Sequence, residues 1–70
     1  HDAAAVDAFM RSHSNHVPRG QLDVYVGYWV ERQSIARIAD LDGRSVGAIA
    51  DRVKRLRRRV RRWIAHRNQR

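Results

Sequence analysis

The residues best able to do chemistry in this chain are cations, and they are concentrated at one end. No acidic residue follows Asp51, whereas ten basic residues do: Arg52, Lys54, Arg55, Arg57, Arg58, Arg59, Arg61, Arg62, Arg67 and Arg70. Residues 1–51 hold five arginines against seven acidic residues, so the net charge of +8 comes from the C-terminal end. Cations on neighbouring helical turns repel one another, and a polyanion relieves that repulsion. The pattern therefore favours nucleic acid, with an anionic membrane surface and a solvated tail as alternatives.

Side chains suited to catalysis or to metal binding are sparse. The chain has no Cys, which excludes disulfides and thiolate ligands. His13 and His16 are three residues apart, but the sequence places no further ligand beside them. No Ser-His-Asp order, phosphate-binding loop or pair of carboxylates is present, and a chain this short offers little room for a pocket. We therefore expect no catalytic residues, no metal, no cofactor and no enzyme activity.

Hydrophobic spacing and capping residues predict an all-α chain with helices at about 2–13, 21–32, 35–41 and 45–66. In the first helix Asp2 is a candidate cap, and Val6, Phe9, Met10 and His13 fall on one face. Residues 14–20 are rich in Ser, Asn, Pro and Gly and are predicted as a loop.

The segment at 21–32 is ambiguous. Val24, Val26, Tyr28 and Val30 alternate as in a strand, whereas Leu22, Tyr25 or Val26, Trp29 and Gln33 fit one helix face. Its length and its helical neighbours favour a helix, in which Gly27 would cost about 1 kcal/mol relative to Ala.

Two capped helices joined by a tight turn are predicted in the centre of the chain. Ser34 and Ser45 are the candidate caps, and Gly43 supplies the positive φ that ends the first helix. The apolar positions of the first helix are Ile35, Ile38, Ala39 and Leu41. Those of the second recur at spacings of three and four residues: Val46, Ile49, Val53, Leu56, Val60 and Trp63. This arrangement is a helix-turn-helix unit, with Ala39 small at the crossing.

The stretch SIARIADLDGRSVGAIADRVKRLRR, at 34–58, resembles the helix-turn-helix of sigma-factor region 4 and of LuxR-type response regulators. Small Myb-like bacterial domains with a GRS turn are a second similar family. The resemblance covers about residues 22–58 and departs from the pattern at Asp42 and Arg44, where the family usually has apolar residues. It implies a three- to four-helix helix-turn-helix domain with a long basic C-terminal helix. It also implies a bacterial or phage-type transcription regulator, with a recognition helix from Ser45 in the major groove.

By the same resemblance, the base-reading positions would be Val46, Gly47, Ala50 and Asp51. None is the Arg, Lys, Asn or Gln that makes bidentate contacts with bases, so we expect modest sequence preference. Val46 also belongs to the apolar stripe, and the core interpretation is the stronger one for it. Asp51 either accepts a hydrogen bond from cytosine or forms an ion pair with Arg55 on the helix surface. Ala48 or Ala50 would touch a thymine methyl group.

The expected partner is double-stranded DNA, held mainly through its phosphates. The predicted DNA-binding residues are Arg44, Ser45, Gly47, Ala48, Asp51, Arg52, Lys54, Arg55, Arg58, Arg59 and Arg62. The alternative is a sigma-like interaction module that contacts RNA polymerase or another regulator and binds DNA only weakly.

We expect residues 1–70 to form a single domain, cut from a larger protein because the chain lacks an initiator Met. No apolar run approaches the roughly 20 residues of a membrane span, so we expect no membrane and a cytoplasmic location on the nucleoid. The stripe from Val53 to Trp63 is predicted to pack against Val6, Phe9 and Met10. A dimer seam is the second interpretation, so a monomer or a weak dimer is expected.

Overall fold

The computed structural model describes the backbone of residues 2–68 and the side chains of residues 3–68, and within that part of the chain the fold is all-α, as predicted. The elements in chain order are helix α1 (Asp2–His13), a 3₁₀ turn (Ser14–His16), helix α2 (Arg19–Val24), a π-helix that continues it (Tyr25–Val30), helix α3 (Ile35–Asp42) and helix α4 (Val46–Asn68). The side chain of Asp2, predicted as a cap, and Arg70, predicted as the end of the basic run, lie outside the described part.

Helix α2 begins at Arg19, inside the segment predicted as a loop. Pro18 precedes it with φ of −55°, and its carbonyl accepts hydrogen bonds from the backbone N–H groups of Gln21 and Leu22 at 2.9 and 3.1 Å. Proline suits this place because its φ is already helical and it has no N–H to satisfy. The prediction of a loop through residue 20 was therefore too long at its C-terminal end.

The segment after α2 is helical, and the strand interpretation of its alternating residues is wrong. Tyr25–Val30 forms a π-helix rather than the predicted α-helix. The N–H of Gln33 then donates to the carbonyl of Gly27 at 2.9 Å, and Arg32 between them adopts a left-handed φ of 58°. This turn ends the helix at Val30, two residues earlier than predicted.

Gly27 is buried in the π-helix because α3 packs directly on it. A Cβ atom at this position would lie 3.1 Å from Cδ1 of Ile38. Glycine has a low helix propensity, but the absence of a side chain here allows α3 and the π-helix to lie in close contact.

The predicted caps and turn of the helix-turn-helix unit are confirmed. The Ser34 hydroxyl accepts from the N–H of Arg37 at 3.0 Å, and the Ser45 hydroxyl accepts from the N–H of Ala48 at 3.1 Å. Gly43 has φ of 65°, and the N–H of Arg44 donates to the carbonyl of Ala39 at 2.9 Å. The bond from Arg44 to Ala39, together with that from the N–H of Gly43 to the carbonyl of Asp40 at 3.3 Å, forms a Schellman motif, which ends α3 and sets where α4 begins.

The apolar stripe of α4 forms the centre of the core. Its buried residues Ile49, Val53, Leu56 and Val60 pack in one cluster with side chains from α1, α2 and α3: Val6, Phe9, Met10, Val24, Ile38 and Ala39. Phe9 meets Trp63 edge to face, with ring centroids 5.6 Å apart. The predicted packing of α1 on α4 is confirmed, and Val53, Leu56 and Val60 are not available for a dimer seam because they are buried within the chain.

Two apolar residues predicted to pack inward are exposed instead. Val46 is 54 % exposed, because it begins α4 beyond the region that α3 covers. Leu41 is 56 % exposed. It follows Ile35 by six residues, which turns its side chain by about 240° around the helix axis. Within residues 2–68 the structure contains no helix with the length and apolar character that a membrane crossing requires.

Candidate nucleic-acid interface

The face of α4 opposite its buried stripe carries a concave basic surface, here called the basic groove. Its lining residues are Gln21, Asp51, Lys54, Arg55, Arg58, Arg59 and Arg62. The lining residues that belong to α4 are either adjacent or three or four residues apart in the sequence, so they occupy successive turns on one face of the helix. The rise of an α-helix places Asp51 and Arg62 about 16 Å apart along the axis. Six of the eleven predicted DNA-binding residues are thereby brought together, and five of the six are cations.

Asp51 is the carboxylate of the basic groove and forms an ion pair within it. Its Oδ2 lies 2.8 Å from Nε of Arg55, one turn further along α4, and both side chains are more than half exposed. Of the two roles predicted for Asp51, the ion pair is the one present in the free chain. An exposed pair of this kind is weak, so a phosphate can compete for Arg55.

Arg59 is connected to the protein interior through Gln21. Its Nε–H donates to Oε1 of Gln21 at 3.2 Å. Gln21 is 8 % exposed and is the buried polar residue among those described. Gln21 was not among the residues predicted for the site. Its spacing of three from Val24 was the available signal, since that spacing puts both on the inner face of α2.

Two predicted residues, Arg44 and Arg52, lie outside the basic groove. They line a separate concave surface with Arg19, Asp23 and Asp42. Arg52 is half-buried and lies over Gly20, where an added Cβ would be 3.1 Å from its Nε. Arg44 and Arg52 therefore lie among charges of both signs and not on a uniformly basic surface.

The first turn of α4 holds the predicted residues Ser45, Gly47 and Ala48, all of them exposed. The Ser45 hydroxyl and the Ala48 N–H are occupied with each other in the cap. Gly47 lines a shallow surface that also includes Asp51 and Lys54, which belong to the basic groove as well. The start of α4 and the basic groove thus form one continuous exposed surface.

Arg57 was not predicted for the site, and unlike the adjacent Arg58 and Arg59 it does not line the basic groove. It is half-buried, and its guanidinium carbon lies 5.7 Å from the ring centroids of both Tyr28 and Trp29. A guanidinium over aromatic rings is a favourable cation–π contact. This cation therefore covers the aromatic pair of the π-helix.

Of the two histidines considered for metal binding, His13 has a packing role. His13 ends α1, its Nδ1 lies 3.3 Å from the carbonyl oxygen of Phe9, and its ring stacks on Phe9 with centroids 4.8 Å apart. Among the residues that the structure describes, no three of His, Cys, Asp or Glu are grouped as metal ligands would be.

Away from the basic groove, a hydrogen bond joins α1 to the π-helix. The Tyr25 hydroxyl donates to Oδ1 of Asp7 at 2.7 Å. This bond raises the pKa of Tyr25 above its usual value, with burial and the negative charge of Asp7 acting in the same direction and Arg11 opposing them. The pair has a structural role, since it connects two packed elements.

Comparisons with protein-family models, with curated proteins and with solved structures found no match to this chain. The resemblance of 34–58 to sigma-factor region 4 stays a prediction. What the chain does must therefore be inferred from the geometry and charge of α4.

Proposed function

We propose that this chain is the DNA-binding module of a bacterial or phage-type transcription regulator, and that the exposed face of α4 binds double-stranded DNA. The observation that carries the proposal is the basic groove, where five cations and one carboxylate share the face of α4 that points away from the core. A field of one sign on a rigid element attracts a polyanion and raises its rate of association.

The shape of α4 suits the major groove of DNA, which is about 12 Å wide and admits an α-helix. The residues at its start that would lie nearest the bases, Gly47 and Ala48, are small and exposed. The cations from Lys54 to Arg62 then lie further along the same face, at the level of the phosphates. The partial positive charge at the start of the helix adds to the attraction.

Affinity would come mainly from phosphates, and sequence preference would be modest. Gly47, Ala48 and Ala50 carry no hydrogen-bonding side chain, and Asp51 is paired with Arg55. Contacts of cations with phosphates set affinity and register but do not read sequence. The target would then be selected by other parts of the regulator or by a partner. RNA polymerase or another regulator is the candidate for that role, and the proposed site of action is the nucleoid.

The test is a titration of labelled duplexes of several sequences with the chain at salt concentrations between about 50 and 200 mM. With one phosphate neutralised by each of the four groove cations that are not paired with Asp51, the slope of log affinity against log salt should be about −3.6. The absence of binding at the lowest salt would refute the proposal.

Matched variants locate the surface. Arg58→Gln and Arg62→Gln should each weaken binding to all duplexes and reduce the slope by about 0.9. Arg11→Gln removes the same charge from α1, outside the basic groove, and should have a clearly smaller effect. Equal losses for all three variants would mean that net charge alone drives binding.

A further inference from the structure

One cation of the basic groove is held in place, whereas most of the others are not. Arg59 donates its Nε–H to the buried amide oxygen of Gln21 at 3.2 Å. Within the described residues, Lys54, Arg58 and Arg62 have no hydrogen bond or ion pair from their side chains. Arg55 is held too, but by a carboxylate that offsets its charge.

The hydrogen bond to Gln21 uses one N–H group of the Arg59 guanidinium and so determines which of the others can bind a ligand. A guanidinium has five N–H donors in a planar fork. Gln21 takes the Nε–H, so the four donors on Nη1 and Nη2 remain, and Arg59 is exposed and lines the basic groove. The edge between Nη1 and Nη2 matches two oxygens of one phosphate. Because Gln21 is neutral, it orients this edge and leaves the positive charge undiminished.

We propose that Gln21 and Arg59 form a pre-oriented seat for one phosphate group, in which Arg59 binds two phosphate oxygens and Gln21 is a positioning residue. The inference rests on the proposed function in that the phosphate is a diester of the DNA backbone. A mobile arginine must lose side-chain freedom when it binds, whereas much of that freedom is already lost at Arg59. Arg59 therefore contributes more to affinity than an equally charged neighbour.

The experiment is a set of substitutions that conserve charge. Lysine has no Nε–H donor and no two-pronged edge, so Arg59→Lys should lower affinity for duplex DNA about tenfold, while Arg58→Lys and Arg62→Lys lower it less than about threefold. Equal losses for the three variants, measured at one salt concentration, would overturn the proposal.

Gln21→Met tests the positioning role, because methionine fills a similar volume and replaces the amide oxygen with a weakly accepting sulfur. Its affinity for DNA should fall nearly as far as that of Arg59→Lys, and the double variant should fall no further than either single one. Additive losses would show that the two residues act separately. Circular dichroism at the assay temperature ensures that folded proteins are compared.

A second measurement does not depend on DNA. In ¹⁵N-resolved NMR spectra of side-chain N–H groups, titration with inorganic tripolyphosphate should shift the Arg59 signals more than those of Arg58, and Gln21→Met should abolish the difference. Binding of tripolyphosphate at Arg59 without any binding of duplex would refute the DNA function and leave the phosphate seat standing. Duplex binding with equal shifts at both arginines would refute the seat alone.

Discussion

Asp51 places a negative charge at the end of the basic groove that is nearest the start of α4. In the free chain it holds the Nε of Arg55 at 2.8 Å and so reduces the charge available to a phosphate. The same carboxylate could instead accept a hydrogen bond from cytosine when the helix lies in the major groove. The two roles have opposite consequences for a variant that removes the charge.

Asp51→Asn should raise the affinity for duplexes of every sequence and make the salt slope steeper by about 0.9, because Arg55 is released for a phosphate. Fluorescence anisotropy with several duplexes across a salt series measures both quantities. Asp40→Asn, on the exposed side of α3, is the control with the same change of charge. A loss of affinity confined to duplexes of one sequence would instead identify Asp51 as a base-reading residue.

The hydrogen bond from Tyr25 to Asp7 predicts a dependence of stability on pH in the alkaline range. The pKa of Tyr25 is raised in the folded chain, so the protonated hydroxyl stabilises the fold below the unfolded value of about 10, and this contribution is lost as the pH rises through the folded pKa. Asp7→Asn should move the tyrosinate absorbance change of Tyr25 to lower pH, and Tyr25→Phe should remove it. An unchanged titration in Asp7→Asn would contradict the assignment.

At the scale of elements, two helical glycines lie in opposite surroundings. Gly27 is buried where α3 packs on the π-helix, with Cδ1 of Ile38 at 3.1 Å from the place of a Cβ. Gly47 lies in the first turn of α4 with no atom within 4 Å of that place. Their substitutions should therefore change stability in opposite directions.

Gly27→Leu should lower the free energy of unfolding by about 1–3 kcal/mol, because the added side chain forces α3 away. Gly47→Ala should raise it by as much as about 1 kcal/mol, because alanine favours a helix and meets no obstacle. Urea unfolding followed by circular dichroism measures both changes. A neutral Gly27→Leu variant would show that α3 does not approach the π-helix this closely.

Signals local in the sequence predicted the elements well. Ser34, Ser45 and Gly43 mark helix ends because their own side chains or φ angles make the caps. The 3–4 spacing along α4 identified its buried side and hence its exposed cations. These features depend on neighbours within a few residues, which is why the all-α fold and most of the basic groove could be predicted.

What depends on distant parts of the chain was missed. The π-helix was predicted as an α-helix, and it packs through Gly27 against α3, which lies later in the chain. Periodicity indicates which side a residue faces but not where the covering helix ends, so Val46 was predicted to be buried. Periodicity also does not indicate which side chain a polar residue bonds, and this is why Gln21 was not predicted for the site.

At the scale of the whole molecule, α1 covers the part of α4 that lies beyond the helix-turn-helix unit. Phe9 is 4 % exposed and contacts Trp63, which lies twelve residues after Asp51, the last predicted base-reading position. The cluster that joins α1 to α4 also includes Val6, Met10 and Val60. This packing keeps the basic end of α4 folded in the absence of a ligand.

Phe9→Ala should lower the free energy of unfolding by about 3–5 kcal/mol, since it leaves a cavity between α1 and α4. That is a large share of the roughly 5–15 kcal/mol that stabilises a typical domain. Leu41→Ala removes a side chain that is 56 % exposed and should change stability by less than about 0.5 kcal/mol. Thermal and urea unfolding of the two variants compare them, and similar losses would contradict the packing described for α1.

Helix α4 carries the buried stripe and the basic groove on opposite sides of one uninterrupted helix. Each residue added or removed turns everything after it by about 100°. A deletion just after Leu56 would put Arg61 in the place of Val60 inside the core and Trp63 in the place of Arg62 in the groove. Divergent versions of this chain can therefore exchange the exposed cations of α4 one at a time, but the number of residues between Ile49 and Trp63 has to stay constant.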